Sequence, residues 1–337
     1  MYVTDVVVIG AGPAGLFSIF ECGMQKLSCH VIDALDHVGG QCRALYPEKP
    51  IYDIPAYPAI LAGDLVDKLY EQAAPFKPTY HLNQRVTHIL QDDEKYWIVR
   101  TSKDVQIKTK AIIIAAGAGA FGPNRPPLEN IEDYEGTSIF YFVKSREDFR
   151  DKSILIAGGG DSAVDWAISL SELAKSVSIV HRRPKFKAAP ESLERLTKLS
   201  QEGEINLIVP YQLSGLKGEN GFLTHVIIDS LDGTKQEIEA DILLPFFGLS
   251  MNLGPISEWG LGLEHNHITV DPLTAKTNRE GIFAIGDVAT YAHKQKLILT
   301  GFAEAAQAAQ AIRAYTCPDE ILHFEYSTTK GVGIHTK

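Results

Sequence analysis

Cysteine is scarce in this 337-residue chain, and its four copies, Cys22, Cys29, Cys42 and Cys317, stand neither as C-x-x-C nor at any metal-ligand spacing. That excludes a disulfide framework and a cysteine-held metal, and fits a reducing, cytoplasmic compartment. No stretch approaches the roughly 20 apolar residues of a bilayer span, and no basic leader precedes the first apolar strand, so neither membrane insertion nor export is expected. Excess positive charge is also missing. The formal net charge is −10, which argues against a nucleic-acid partner, because backbone phosphates demand a basic surface. There is no Ser-His-Asp elbow and no H-E-x-x-H helix, and the eleven histidines are scattered. With 45% hydrophobic and 22% charged residues, the chain has the composition of an ordinary globular protein, long enough for two domains of about 100 to 200 residues each.

What is present is a pair of glycine turns. The first follows the apolar run Val6 to Ile9 and reads Gly10, Gly12, Pro13, Ala14, Gly15 before a helical stretch. Such glycines serve a tight turn, close approach to a pyrophosphate, and close packing of helix on strand. A second strand, Cys29 to Ile32, ends at Asp33, about 20 residues on, where an acid accepts hydrogen bonds from a ribose 2′-hydroxyl. This half therefore suits an unphosphorylated adenosine, as in FAD or NAD.

The second turn, S-I-L-I-A-G-G-G-D-S-A, keeps Gly158 and Gly160 and has Ala163 at the third position. At the offset where the first copy has Asp33, this copy has His181, Arg182 and Arg183. Two guanidinium groups in place of an acid suit a 2′-phosphate by charge and by bidentate geometry, so this half prefers NADP.

The period and punctuation of the chain predict an α/β protein of two Rossmann-like dinucleotide-binding units, one inserted in the other. The FAD domain is expected over 1–118 and 246–337, the NADPH domain over 119–245. Small residues around Gly117 end a strand where the chain would pass close to a dinucleotide. Pro123, Pro126 and Pro127 mark a linker, and the chain returns through G-I-F-A-I-G-D-V-A, ending at Gly286-Asp287, to an alanine-rich helix over Phe302 to Tyr315.

Together, G-A-G-P-A-G, the A-A-G near Gly117, G-G-G-D-S-A with H-R-R-P-K-F-K-A, and the late G-D resemble the two-dinucleotide-binding-domain flavoprotein reductases. The narrower likeness, through G-G-Q-C-R-A-L-Y-P-E-K, I-Y-D-I-P-A-Y-P and L-G-P-I-S-E-W-G-L, is to the thioredoxin-reductase-like ferredoxin/flavodoxin–NADP(+) reductases. The thioredoxin reductases themselves carry a C-x-x-C ahead of the second glycine turn. Here that stretch is Tyr141 to Arg146, and Cys42 stands alone, so thiol relay from flavin to a disulfide cannot close its cycle.

The resemblance implies FAD contacts from Gly10, Gly12, Pro13, Ala14, Gly15, Asp33, Gln41, Tyr46, Val86, Ala118, Phe121, Asp287 and Thr328, with Asp287 on the ribitol. It implies NADP contacts from Gly158, Gly160, Asp161, Ser162, Ala163, His181, Arg182, Arg183 and Lys187. Tyr46 would stack on one face of the flavin. A tail residue of the partner in a homodimer would stack on the other, at the position of Tyr326, with His323 or Phe324 as the candidates a small shift would choose. Hydride would pass between NADPH and flavin N5, then single electrons to ferredoxin or flavodoxin, with no acid or base required. Lys294 and Lys296, beside the G-D segment, are candidates for the docking patch. Two other readings stay open: a thioredoxin-reductase-like enzyme without a dithiol, and a nucleotide-binding flavoprotein that acts as a redox sensor.

Overall fold

Interior parallel strands bury both faces, and the run Val6 to Ile9 is apolar throughout for that reason. In the computed structural model, residues 1–319 are described, except for the side chains of residues 120, 121 and 249–251. The first unit opens with β1 (Tyr2–Ile9), α1 (Pro13–Met24) and β2 (Cys29–Ile32), followed by the short α2 (Gly40–Ala44) and α3 (Ala62–Ala73). It continues with β3 (Thr79–His81), β4 (Val86–Gln91), β5 (Trp97–Thr101) and β6 (Gln106–Ile114). The strand order is β3-β2-β1-β6-β5-β4. β1 runs parallel to both β2 and β6, whereas β4, β5 and β6 form an antiparallel meander. β1 thus sits inside the sheet, and the Val6, Val7 and Val8 side chains are fully buried.

The inserted unit contains β7 (Ser153–Ala157), α4 (Asp161–Leu170), β8 (Ser176–Val180), α5 (Pro190–Gln201) and β9 (Ile205–Ile208). An antiparallel ribbon follows, β10 (Tyr211–Glu219), β11 (Phe222–Ser230) and β12 (Lys235–Glu239), and then β13 (Ile242–Pro245). β9, β8, β7 and β13 make a parallel sheet in that order, while β10 to β12 form a separate one. The chain returns to the first unit, where β14 (Ile282–Ala284) adds to β6 in parallel and α6 (Ile298–Thr316) completes the helical layer. The two compact units are residues 1–121 with the return segment from 251, and residues 122–250. They part a few residues beyond the crossings expected at 118/119 and 245/246.

Two cores flank the first sheet. On one face Leu16 and Ile19 of α1, Leu65 and Val66 of α3, and Ala305, Ala308 and Ala309 of α6 pack on Val6, Val8 and Ile113. On the other, Val7, Ile9 and Ile112 meet Trp97, Trp259 and Ile256. Full burial of each large apolar side chain contributes about 1.5–3 kcal/mol. α6 begins four residues before the helix expected from the alanine run and so includes Gly301, where an added Cβ would lie 3.1 Å from Ala14 Cβ.

Candidate functional site

Strand β1 ends where the chain must turn without a side chain. Gly10 has φ +109°, and a Cβ there would lie 2.3 Å from the Ala115 carbonyl oxygen. Gly15 is as tightly enclosed, since its Cβ would meet the Gly10 carbonyl oxygen at 2.0 Å. Gly12 faces open space, with Gly40 Cα its nearest neighbour at 3.9 Å. Two glycines therefore close the turn against the sheet and the third leaves the end of α1 uncovered. No side chain caps α1, and Pro13 occupies its first turn, so free N–H groups and the positive end of the helix open on a cleft.

That cleft has a volume of about 520 Å³, within the usual range for ligand sites. Its walls include Gly10, Gly12, Pro13, Ala14, Asp33, Gln41, Tyr46, Val86 and Asp287. Gly15 lies behind the turn, and Ala118 is off the lining although Gly117 and Gly119 are on it. The side chain of Phe121, and Tyr326 and Thr328, lie outside the described residues. At one end, Asp33 Oδ2 accepts from the Ala11 N–H at 2.6 Å and Oδ1 from the Leu35 N–H at 2.8 Å. Burial lifts its carboxyl above the usual value, and those two donors pull the other way. At the other end the Cys42 thiol donates to the Tyr46 hydroxyl oxygen at 3.7 Å. Burial, with Cys42 and the Asp287 charge nearby, holds the Tyr46 phenol well above its usual range.

The second glycine turn is built from its own neighbours. His181 packs its ring on Gly159, where a Cβ would come within 2.3 Å of it, and the ring centroids of His181 and Phe186 are 5.1 Å apart. The Lys187 N–H donates to the Gly159 carbonyl at 2.6 Å, and the Ala189 N–H donates to Asp161 Oδ1 at 2.8 Å. The basic segment is thereby folded back on the turn. Asp161, Ser162, Arg182, Arg183 and Lys187 are exposed there, whereas Ala163 is buried. Burial, with Arg182 and Arg183 beside it, keeps the His181 imidazole below its usual range.

A family model described as pyridine nucleotide-disulphide oxidoreductase matches residues 4–312. The chain belongs to the pyridine nucleotide-disulphide oxidoreductase family. Relatives named "Ferredoxin--NADP reductase" from Paramagnetospirillum magneticum and Rhodospirillum rubrum are each 58% identical over 98% of this chain and 98% and 96% of their own. A thioredoxin reductase from Lactococcus lactis has a TM-score of 0.81 at 28% identity, covering 94% of this chain and 99% of that one.

Within this member of the pyridine nucleotide-disulphide oxidoreductases the thiols stand apart from one another in role. All four cysteines are free, and Cys42, the one on the cleft wall, is buried. Burial pushes its thiol up to about 11, so it is a protonated packing group at neutral pH and a poor nucleophile.

Several lining residues were not among the expected FAD contacts. Ile256 and Trp259 come from the return segment, and Lys296, Leu297, Ile298 and Gly301 from the start of α6. Ile256 and Trp259 stand within the L-G-P-I-S-E-W-G-L stretch without a role having been given to either, and Gly301 left a signal of its own, a glycine inside a helix, which lets α6 approach Ala14 and Gly286. The docking candidates divide. Lys294 is buried in an ion pair with Glu304 and has no free ammonium to offer, because that carboxylate lies directly beneath its loop. Lys296 is exposed on the cleft rim, and its ammonium donates to His267 Nε2 at 2.6 Å.

Proposed function

We propose that this chain is a ferredoxin–NADP(+) reductase with FAD in the cleft of the first unit and NADPH at the glycine turn of the second. The observation that carries this reading is 58% identity, over nearly the whole length, to relatives of that name. The fittings of the cleft suit FAD. The uncovered end of α1 would take the pyrophosphate, Asp33 has lone pairs left for the ribose hydroxyls, Asp287 would meet the ribitol, and Tyr46 would wall the ring. When bound, FAD accepts a hydride from reduced nicotinamide and releases electrons singly.

The protein's part is to bind, orient and exclude water. Gln41, Val86 and the backbone near Gly117 shape the cleft, and Cys42 steadies the Tyr46 hydroxyl without offering a thiolate. In the second unit the end of α4 would take a pyrophosphate, and Arg182 and Arg183 would grip the 2′-phosphate. No side chain is assigned to move a proton. The acceptor in this reading is ferredoxin or flavodoxin, the assembly a homodimer, and the compartment the cytoplasm.

The test is NADPH oxidation by the FAD-loaded protein with ferredoxin as acceptor, run beside thioredoxin with a disulfide dye. Rapid ferredoxin reduction with no dye turnover is expected. Dye reduction would favour a thioredoxin-reductase-like activity, and inactivity with both acceptors would favour a redox sensor.

A further inference from the structure

Beneath the Gly286–Asp287 turn lies a buried cluster of charge. Glu304 of α6 and Lys294 of the preceding loop form an ion pair in which each side chain is only 4% exposed. Glu304 Oε1 accepts from the Lys294 ammonium and from the Tyr291 hydroxyl, the latter at 2.8 Å. Its Oε2 accepts from the Gly286 backbone N–H at 2.7 Å. The Lys294 ammonium also lies 5.1 Å from the centre of the Tyr291 ring. Burial, with the Glu304 carboxylate beside it, pushes the Tyr291 hydroxyl up to about 12, so it stays a donor.

Burying two charges is costly, and apolar side chains of similar size often serve stability as well. What they cannot supply is an acceptor for the Gly286 N–H. Gly286 stands at φ +71°, where an added Cβ would lie 3.3 Å from Ala14 Cβ, and Gly301 closes the same gap from α6. Packing thus clamps the turn between α1 and α6, and the carboxylate sets its orientation. Asp287, the next residue, lies on the cleft wall.

We propose that Glu304, held by Lys294 and Tyr291, is a positioning residue that fixes the turn from which Asp287 reaches a bound FAD. This rests on the FAD reading above. Tyr291, Lys294 and Glu304 are themselves off the cleft wall, and the charged side chain on the turn they hold is Asp287, which gives the cluster a signature that a simple packing role lacks.

The test is a double-mutant cycle on the holoenzyme. FAD release on dilution is followed by flavin fluorescence for the native protein, K294M/E304M, D287N and the triple variant, with the melting temperature of each recorded in excess FAD. K294M/E304M should stay folded, melting within about 10 °C of the native protein for the donors left without an acceptor, yet release FAD about tenfold faster, the scale set by losing a charge-assisted hydrogen bond. D287N should also release faster, and the triple variant no faster than D287N. Native-like release from K294M/E304M, or independent multiplication of the two effects, overturns the proposal. Native-like release from D287N refutes instead the assignment of Asp287 to the cofactor, and removes what Glu304 would position. If K294M/E304M does not fold, K294Q/E304Q, which leaves no unpaired charge, takes its place in the cycle, with the same pattern expected at about threefold.

Discussion

Replacing Gly15 by Ala tests whether the first glycine turn exists to hold a pyrophosphate. The added Cβ would stand 2.0 Å from the Gly10 carbonyl oxygen, where an ordinary C···O contact is about 3.3 Å, so the start of α1 must withdraw by about 1.3 Å. Gly10 has little room to yield instead, because the Ala115 carbonyl closes the space where a Cβ of Gly10 would stand. A retreat of that size breaks one or two N–H···phosphate bonds of about 2 kcal/mol each. FAD affinity should therefore fall by about thirtyfold to several hundredfold, while overpacking costs about 1–3 kcal/mol of stability. The assay is the FAD-to-protein ratio after purification, with the dissociation constant from refilling the apoprotein and far-UV circular dichroism to check the fold. The second unit supplies the control, since its third position is already Ala163, in contact range of Gly158. Ala163→Gly should leave the NADPH KM within about twofold and cost about 1 kcal/mol of helix stability at most. A Gly15→Ala protein that keeps stoichiometric FAD and a native dissociation constant would refute the reasoning.

Two further outcomes follow from the same geometry. Replacing Arg182 and Arg183 together by Ala should raise the KM for NADPH at least about tenfold more than that for NADH, with the difference shrinking as salt increases; parallel changes would show that the pair does not read the 2′-phosphate. Cys42, with its thiol pushed up to about 11, should alkylate about a hundredfold or more slower than an exposed cysteine at about pH 8, its rate rising about tenfold per pH unit up to about pH 10. Mass spectrometry of the Cys42 peptide measures this, and rapid labelling at neutral pH would revive a thiol role.

What could be read in the sequence was what local sterics dictate. A tight turn between strand and helix has few solutions, so Gly10 and Gly15 announced both the turn and the helix that follows. Asp33 and the pair Arg182 and Arg183 could be matched because each follows a strand of similar length after its glycine turn, and Asp33 does stand on the cleft wall. The far wall of the cleft was not legible. Ile256 and Trp259 arrive from a segment more than two hundred residues after Gly10, and long-range pairings, the Gly119–Asn252 bridge and β14 against β6 among them, bring that segment home. The lysines show the limit most clearly. Lys294 and Lys296 are two residues apart in a polar loop and look alike in sequence, yet one is swallowed by Glu304 and the other stands on the rim. The partner that decides this, Glu304, sits ten residues further on in a helix whose alanines disguise it as plain packing. A buried charge is specified by its acceptors in three dimensions, and so a docking patch must be argued from exposed side chains rather than from a count of basic residues near a motif.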